Sequence, residues 1–165
     1  MLELATRLRV RMRTGMCQAK RLAAWAVLVG LATGAAEAQQ IYLAANTLIV
    51  SADGGGYLAR RSDRIAQMRA TGQRVEIRGT CISACTMYLS LPNVCVTPSA
   101  VLGFHGPSEN GRPLPPRDFE YWSQVMAANY AEPLRSWFLS TARYNTSGYY
   151  QISGAQLIRM GYQQC

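Results

Sequence analysis

The stretch that decides the fold is GTCISACTMYLSLPNVCVTPSAVLGFHGP, residues 79–107. Gly79-Thr80-Cys81-Ile82 follows an alternating run, Arg74 to Arg78, that reads as a short strand. Ser83 to Ser90 then reads as a small apolar helix, stopped before Pro92. Val94-Cys95-Val96 and Val101 to Phe104 are two more short strands, and His105 follows the second of them. Ser83 therefore stands where a strand gives way to a helix, and His105 where the next strand gives way to a Gly-Pro loop. A hydroxyl at a helix start lies where the first amides point, and those amides favour developing negative charge. A serine there is also a plain N-cap, the commoner use of the position. His105 is the only histidine of the chain, and a lone histidine is more often structural or exposed than functional.

Working outward, Ile41 to Val50 reads as a buried strand, ended by Gly54-Gly55-Gly56. The glycines are either an ordinary turn or a set of exposed amides able to receive an oxyanion. They lack a following Gly-Lys-Ser/Thr, so they give no nucleotide loop. Tyr57 to Thr71 has helical apolar spacing, with Gly72 to cap its C-terminus. Gly106 to Pro116, with four prolines and two glycines, reads as a loop; the span from Pro107 to Trp122 is either a lid over a site or a plain loop and packed helix. Helices are expected over Asp118 to Tyr130 and Leu134 to Ala142, and from Ser153, a plausible N-cap, to Gly161. Strands alternating with helices predict an α/β domain.

The 165 residues suit one domain. Residues 1–21 carry Arg7, Arg9, Arg11, Arg13, Lys20 and Arg21. Leu22 to Ala36 is apolar apart from Gly30, Thr33 and Gly34, and Ala36-Glu37-Ala38 offers small residues at a cleavage point. This order predicts a signal peptide over 1–38, with translation starting at Met1, Met12 or Met16, and a folded domain over 39–165. The apolar run is shorter than the ~20 residues of a membrane span, an uncleaved anchor being the alternative. The expected location is periplasmic or secreted, with membrane contact only through the leader. Without the leader, eleven arginines face seven acids, a formal charge of +4, and no lysine remains. The scattered arginines do not make a nucleic-acid surface.

Cys81, Cys85, Cys95 and Cys165 are an even count in an expected exported chain, which favours two disulfides. Three pairings are open; Cys85 with Cys95 and Cys81 with Cys165 is the one favoured here. No CxxC pair is present, and a single histidine argues against a zinc site, so no metal or other cofactor is expected.

Taken in order, Gly54-Gly55, Cys81-Ile82-Ser83-Ala84-Cys85 and the Cys95 to His105 strand resemble the proteolytic subunit of Clp protease and its crotonase-fold relatives. They resemble most the exported Clp-like proteins with a Cys-x-Ser-Ala-Cys motif. The resemblance runs from about Ile41 to Gly161, and Ile152-Ser153-Gly154-Ala155-Gln156-Leu157 is similar to the family's late helix. It implies a Clp/crotonase-like fold and acyl transfer without ATP, most of all a peptidase acting on a peptide or protein. Ser83 would be the nucleophile, His105 its base, and the Gly55 and Ala84 amides the oxyanion donors. Three departures stand out. The family's third catalytic member, an Asp, falls near Tyr149 here, and no acid follows Glu132; Asp118, Glu120 or Asn145 is left to orient His105. Asp53 also stands where the family often has Pro. The absence of lysine excludes a Ser–Lys dyad in the domain. The family's N-terminal hairpin and helix are missing, so the fold would be trimmed, and an exposed sheet edge could favour homo-oligomers. The alternative is a non-catalytic Clp-like module that binds a peptide or partner protein in the same cleft. A crotonase-type thioester enzyme ranks third, since no adenine-binding feature is visible.

Overall fold

The computed structural model describes residues 46–165, in which strands and helices alternate. The expected leader, and the Ile41 to Ala45 part of the first strand, lie outside the described residues. Strand β1 (Thr47–Asp53) leads through the glycine loop to helix α1 (Leu58–Thr71) and strand β2 (Arg74–Ile82). A 3₁₀ segment, Ser83–Ser90, connects to β3 (Val94–Val96) and β4 (Val101–Phe104). A two-stranded hairpin follows, β5 (Ser108–Glu109) with β6 (Arg112–Pro113), then α2 (Pro116–Ala127) and α3 (Leu134–Ser140). The chain ends with a 3₁₀ turn (Ala142–Tyr144), β7 (Tyr150–Ser153) and α4 (Gly154–Arg159).

The main sheet runs β1-β2-β4-β7, with β3 paired to the first half of β2. β1, β3 and β4 are parallel to β2, and β7 closes antiparallel on β4. Between Val50/Ile77 and Ala52/Thr80, β2 carries one residue more than β1. Gly79 takes up that bulge, because a Cβ there would overlap the Ser51 carbonyl. The core is built from both halves of the chain. Val75, Ile77, Met87, Val96, Leu102, Phe138 and Leu157 are fully enclosed, each stabilising the fold by about 1.5–3 kcal/mol relative to exposure. Phe104, the last residue of β4, meets Tyr130 and Trp137 edge-on, with ring centres 5.5 and 5.8 Å away.

Several expectations need amendment. The apolar segment after Ser83 is 3₁₀ rather than α. Its Thr86 and Ser90 hydroxyls bond back to the carbonyls three residues earlier, matching the tighter ladder. The Gly106 to Pro116 loop contains the β5–β6 hairpin, turned at Asn110 (φ 51°) and Gly111 (φ 75°). That Asn-Gly pair is the sequence signal for such a turn. β7 was not expected at all. Ser153 does cap α4, exchanging hydrogen bonds with Gln156 in a capping box.

All four cysteines among the described residues are in disulfides, but the favoured pairing is wrong: Cys81 joins Cys85, and Cys95 joins Cys165. Turning from β2 into the 3₁₀ segment brings the Cα atoms of Cys81 and Cys85 to 5.3 Å. The C-terminal tail, polar and without strand pattern in sequence, lies along β3. Val96 donates to the Gln163 carbonyl and accepts from Cys165 N–H, which sets Cys165 beside Cys95. Two disulfides fit an oxidising, non-cytoplasmic compartment. No helix among the described residues is long and apolar enough to cross a membrane.

The two bonds close loops of very different length, with separations of 4 and 70 residues. Chain-entropy arithmetic gives about 2 kcal/mol for the short loop and about 4 kcal/mol for the long one. Urea unfolding of the Cys95→Ala/Cys165→Ala variant should therefore show the larger loss of stability, and Cys81→Ala/Cys85→Ala the smaller.

Candidate functional site

β2 is extended through Ile82 (φ −117°), and the chain then reverses at Ser83, whose φ is +59°. A left-handed conformation costs a non-glycine residue about 1–2 kcal/mol, so something must hold it. The Cys81–Cys85 bond brackets the turn on both sides. Beneath it, the Thr86 hydroxyl donates to the Ser83 carbonyl at 2.7 Å. Since that proton is committed, the Tyr130 hydroxyl must donate to Thr86 Oγ1, 2.8 Å away. Burial pushes the Tyr130 phenol up, so it stays protonated as this donor. The Ser83 side chain itself is half-buried and bonds to no described group.

The glycine loop is seated against this turn. A Cβ on Gly55 would lie 2.7 Å from Ser83 Cβ, 2.9 Å from the Ile82 carbonyl oxygen and 3.1 Å from Ala84 N, and its φ is +103°. Gly55 thus has two independent reasons to be glycine. Ala84, fully buried, is the second residue of the 3₁₀ segment, so its N–H has no partner within that segment. The structure brings Gly55, Ser83 and Ala84 together as the sequence proposed. Gly55 N–H, however, is engaged: it donates to Asp53 Oδ1 at 2.9 Å. Arg61 pairs with the same carboxylate at 2.8 Å, donates to the Gly55 carbonyl at 3.0 Å, and stacks over the Tyr88 ring. Asp53 and Arg61 therefore clamp the Gly55 peptide at both ends. Sequence reading missed this pair. Its available signal was an Asp two residues before a glycine N–H, the pattern of an Asx turn.

His105 is placed through β4. Ile82 and Gly103 are partners across β2 and β4, so Ser83 and His105 extend from the same ends of two adjacent parallel strands. No hydrogen bond joins their side chains. The His105 Nδ1 lies 2.8 Å from the Gly106 carbonyl oxygen. A carbonyl can only accept, so Nδ1 carries a proton, and in the neutral ring Nε2 is the nitrogen with the lone pair. Gly106 is fixed in turn: its N–H donates to the Asn145 carbonyl at 2.9 Å, and a Cβ on it would overlap the Arg143 carbonyl.

None of the three side chains considered as orienters fills that role. Glu120 is taken by Gln124 and Arg143, which hold its carboxyl below the usual range. The Asn145 side chain accepts from Gly148 N–H, and Asn145 acts through its main chain instead. Asp118 lies in the first turn of α2 and has no bond to His105. At the place of the expected acid, Tyr149 lies against Gly103, 2.8 Å from where a Cβ would stand, beside Ile82. The main-chain acceptor carries no sequence signature, since every residue has a carbonyl.

As the sole histidine, His105 gives one unambiguous set of ring-nitrogen signals. NMR of ¹⁵N-labelled, untagged protein above pH 8 should show the Nδ1–H tautomer; the Nε2–H tautomer, usual for free imidazole side chains, would mean that the Gly106 contact is not formed in solution. Compared with protein-family models and with curated proteins, the chain matches none.

Proposed function

We propose that this protein is an exported, ATP-independent serine hydrolase, acting on peptides, in a Clp/crotonase-like fold. The observation that carries the reading is the left-handed turn at Ser83, set against Gly55 at the end of a strand whose parallel neighbour leads into His105. Backbone strain of about 1–3 kcal/mol concentrates at functional sites, and hydrolases expose a nucleophilic serine on such strand-to-helix turns. In this reading Ser83 Oγ attacks the substrate acyl carbon as His105 Nε2 takes its proton. Ala84 N–H receives the oxyanion. His105 then returns the proton to the leaving amine, and water releases the acyl group by the same steps in reverse order of roles. Gly55 N–H can contribute only after it leaves Asp53, and one such donor is worth roughly 10²–10³ in rate.

A second reading, a non-catalytic module that binds a peptide or partner in the cleft, is favoured by one observation. The Asp53 carboxylate already occupies the amide that an oxyanion would need.

Fluorophosphonate labelling of the oxidised protein separates the two. Hydrolysis predicts labelling of the parent that is lost in Ser83→Ala and in His105→Ala. It also predicts labelling about tenfold faster or more in Asp53→Ala, where the Gly55 amide is released. A folded parent and a folded Asp53→Ala variant that both stay unlabelled would leave the binding module as the function.

A further inference from the structure

Strand β1 is an edge of the sheet: among the described residues it pairs with β2 alone. The extra residue of the β1–β2 pair sits on β2, so β1 keeps a regular course from Leu48 to Ala52. Edge strands of monomeric proteins are usually blunted by charge, proline or a bulge on the edge itself. β1 has none of these between Leu48 and Ala52, and Ile49 is 50% exposed.

Alongside this edge runs an open groove of about 620 Å³, floored by β1 and walled by the first turns of α1 and by Tyr57 and Tyr88. Its charge is one-sided. Arg61 is neutralised by Asp53. Arg60 and Arg64, one helical turn apart and both exposed, form no ion pair with any described residue; Arg60 rests on the Tyr57 ring, 4.9 Å from its centre.

We propose that this groove binds an extended acidic peptide, which adds to β1 as a further strand. Main-chain bonds to the Leu48–Ala52 edge, unpaired among the described residues, would supply affinity, and carboxylate side chains on alternate residues would meet Arg60 and Arg64. The arginines also argue against the other natural occupant, a second copy of this chain. Antiparallel pairing of two β1 edges would leave α1 of both copies on one face, setting the two arginine pairs against each other across the seam. The inference goes beyond hydrolysis at Ser83 and does not rest on it: Ser83→Ala is expected to bind the peptide as the parent does.

The test is fluorescence anisotropy of a labelled, acetylated heptapeptide of alternating valine and glutamate, titrated with the oxidised protein at low salt. Saturable binding is expected, with little or none for the same peptide carrying lysine in place of glutamate. Arg60→Glu/Arg64→Glu should weaken binding about tenfold or more, as should methylating a central peptide nitrogen that the ladder needs. Both arginines are exposed, so the double variant should melt with the parent; if it does not fold, the glutamate–lysine comparison on the parent decides. No saturable binding, equal binding of both peptides, a folded double variant that binds unchanged, or a dimer by light scattering that excludes the peptide would each overturn the proposal.

Discussion

A serine is held in a left-handed turn at the end of β2, and the surrounding chemistry is arranged to keep it there. The cost of about 1–3 kcal/mol is met locally. The Cys81–Cys85 bond joins the chain on either side of the turn, and the Thr86 and Tyr130 hydroxyls secure the Ser83 carbonyl from below. Each such hydrogen bond contributes about 1 kcal/mol net, and its loss would leave a buried polar group unpaired. Tyr130 in turn packs on Phe104 and Phe138, which links the serine turn to the strand that carries His105. The two candidate residues are thus positioned by one shared aromatic and hydroxyl network rather than by contact with each other.

The charges around the site follow a different logic. The Asp53–Arg61 pair is partly shielded from solvent and does its work on the backbone, gripping the N–H and the carbonyl of a single glycine peptide. An ion pair of this kind adds little to global stability. Its effect is conformational: it fixes the loop while withholding the amide. The same carboxylate therefore orders the candidate site and competes with any anion that enters it.

Much of the scaffold was legible because its signals are local. Gly72 ends α1 in the left-handed conformation expected of a C-cap, Ser153 caps α4, and β3 and β4 run over the residues that their β-branched pattern marks. Part of what escaped depends on contacts distant in sequence, and part on local hydrogen bonds. The disulfide pairing needed the path of a polar C-terminal tail, and β7 needed a partner strand far upstream, Val101 to Phe104. The engagement of Gly55 by Asp53 and of His105 by a main-chain carbonyl needed hydrogen-bond geometry that residue types do not specify.

That main-chain acceptor changes what mutation can reach. A carboxylate partner can be lost by one substitution at its own position, but the carbonyl beside His105 persists whatever residue follows it. Sensitivity moves instead to the space around the peptide: Gly106 must remain without a side chain because the Arg143 carbonyl occupies the room that a Cβ would take. A lineage built this way can let its acidic residues drift while the glycine stays fixed. In its pattern of substitutions the site would be marked by an absence of side chain, where an acidic residue would otherwise be sought.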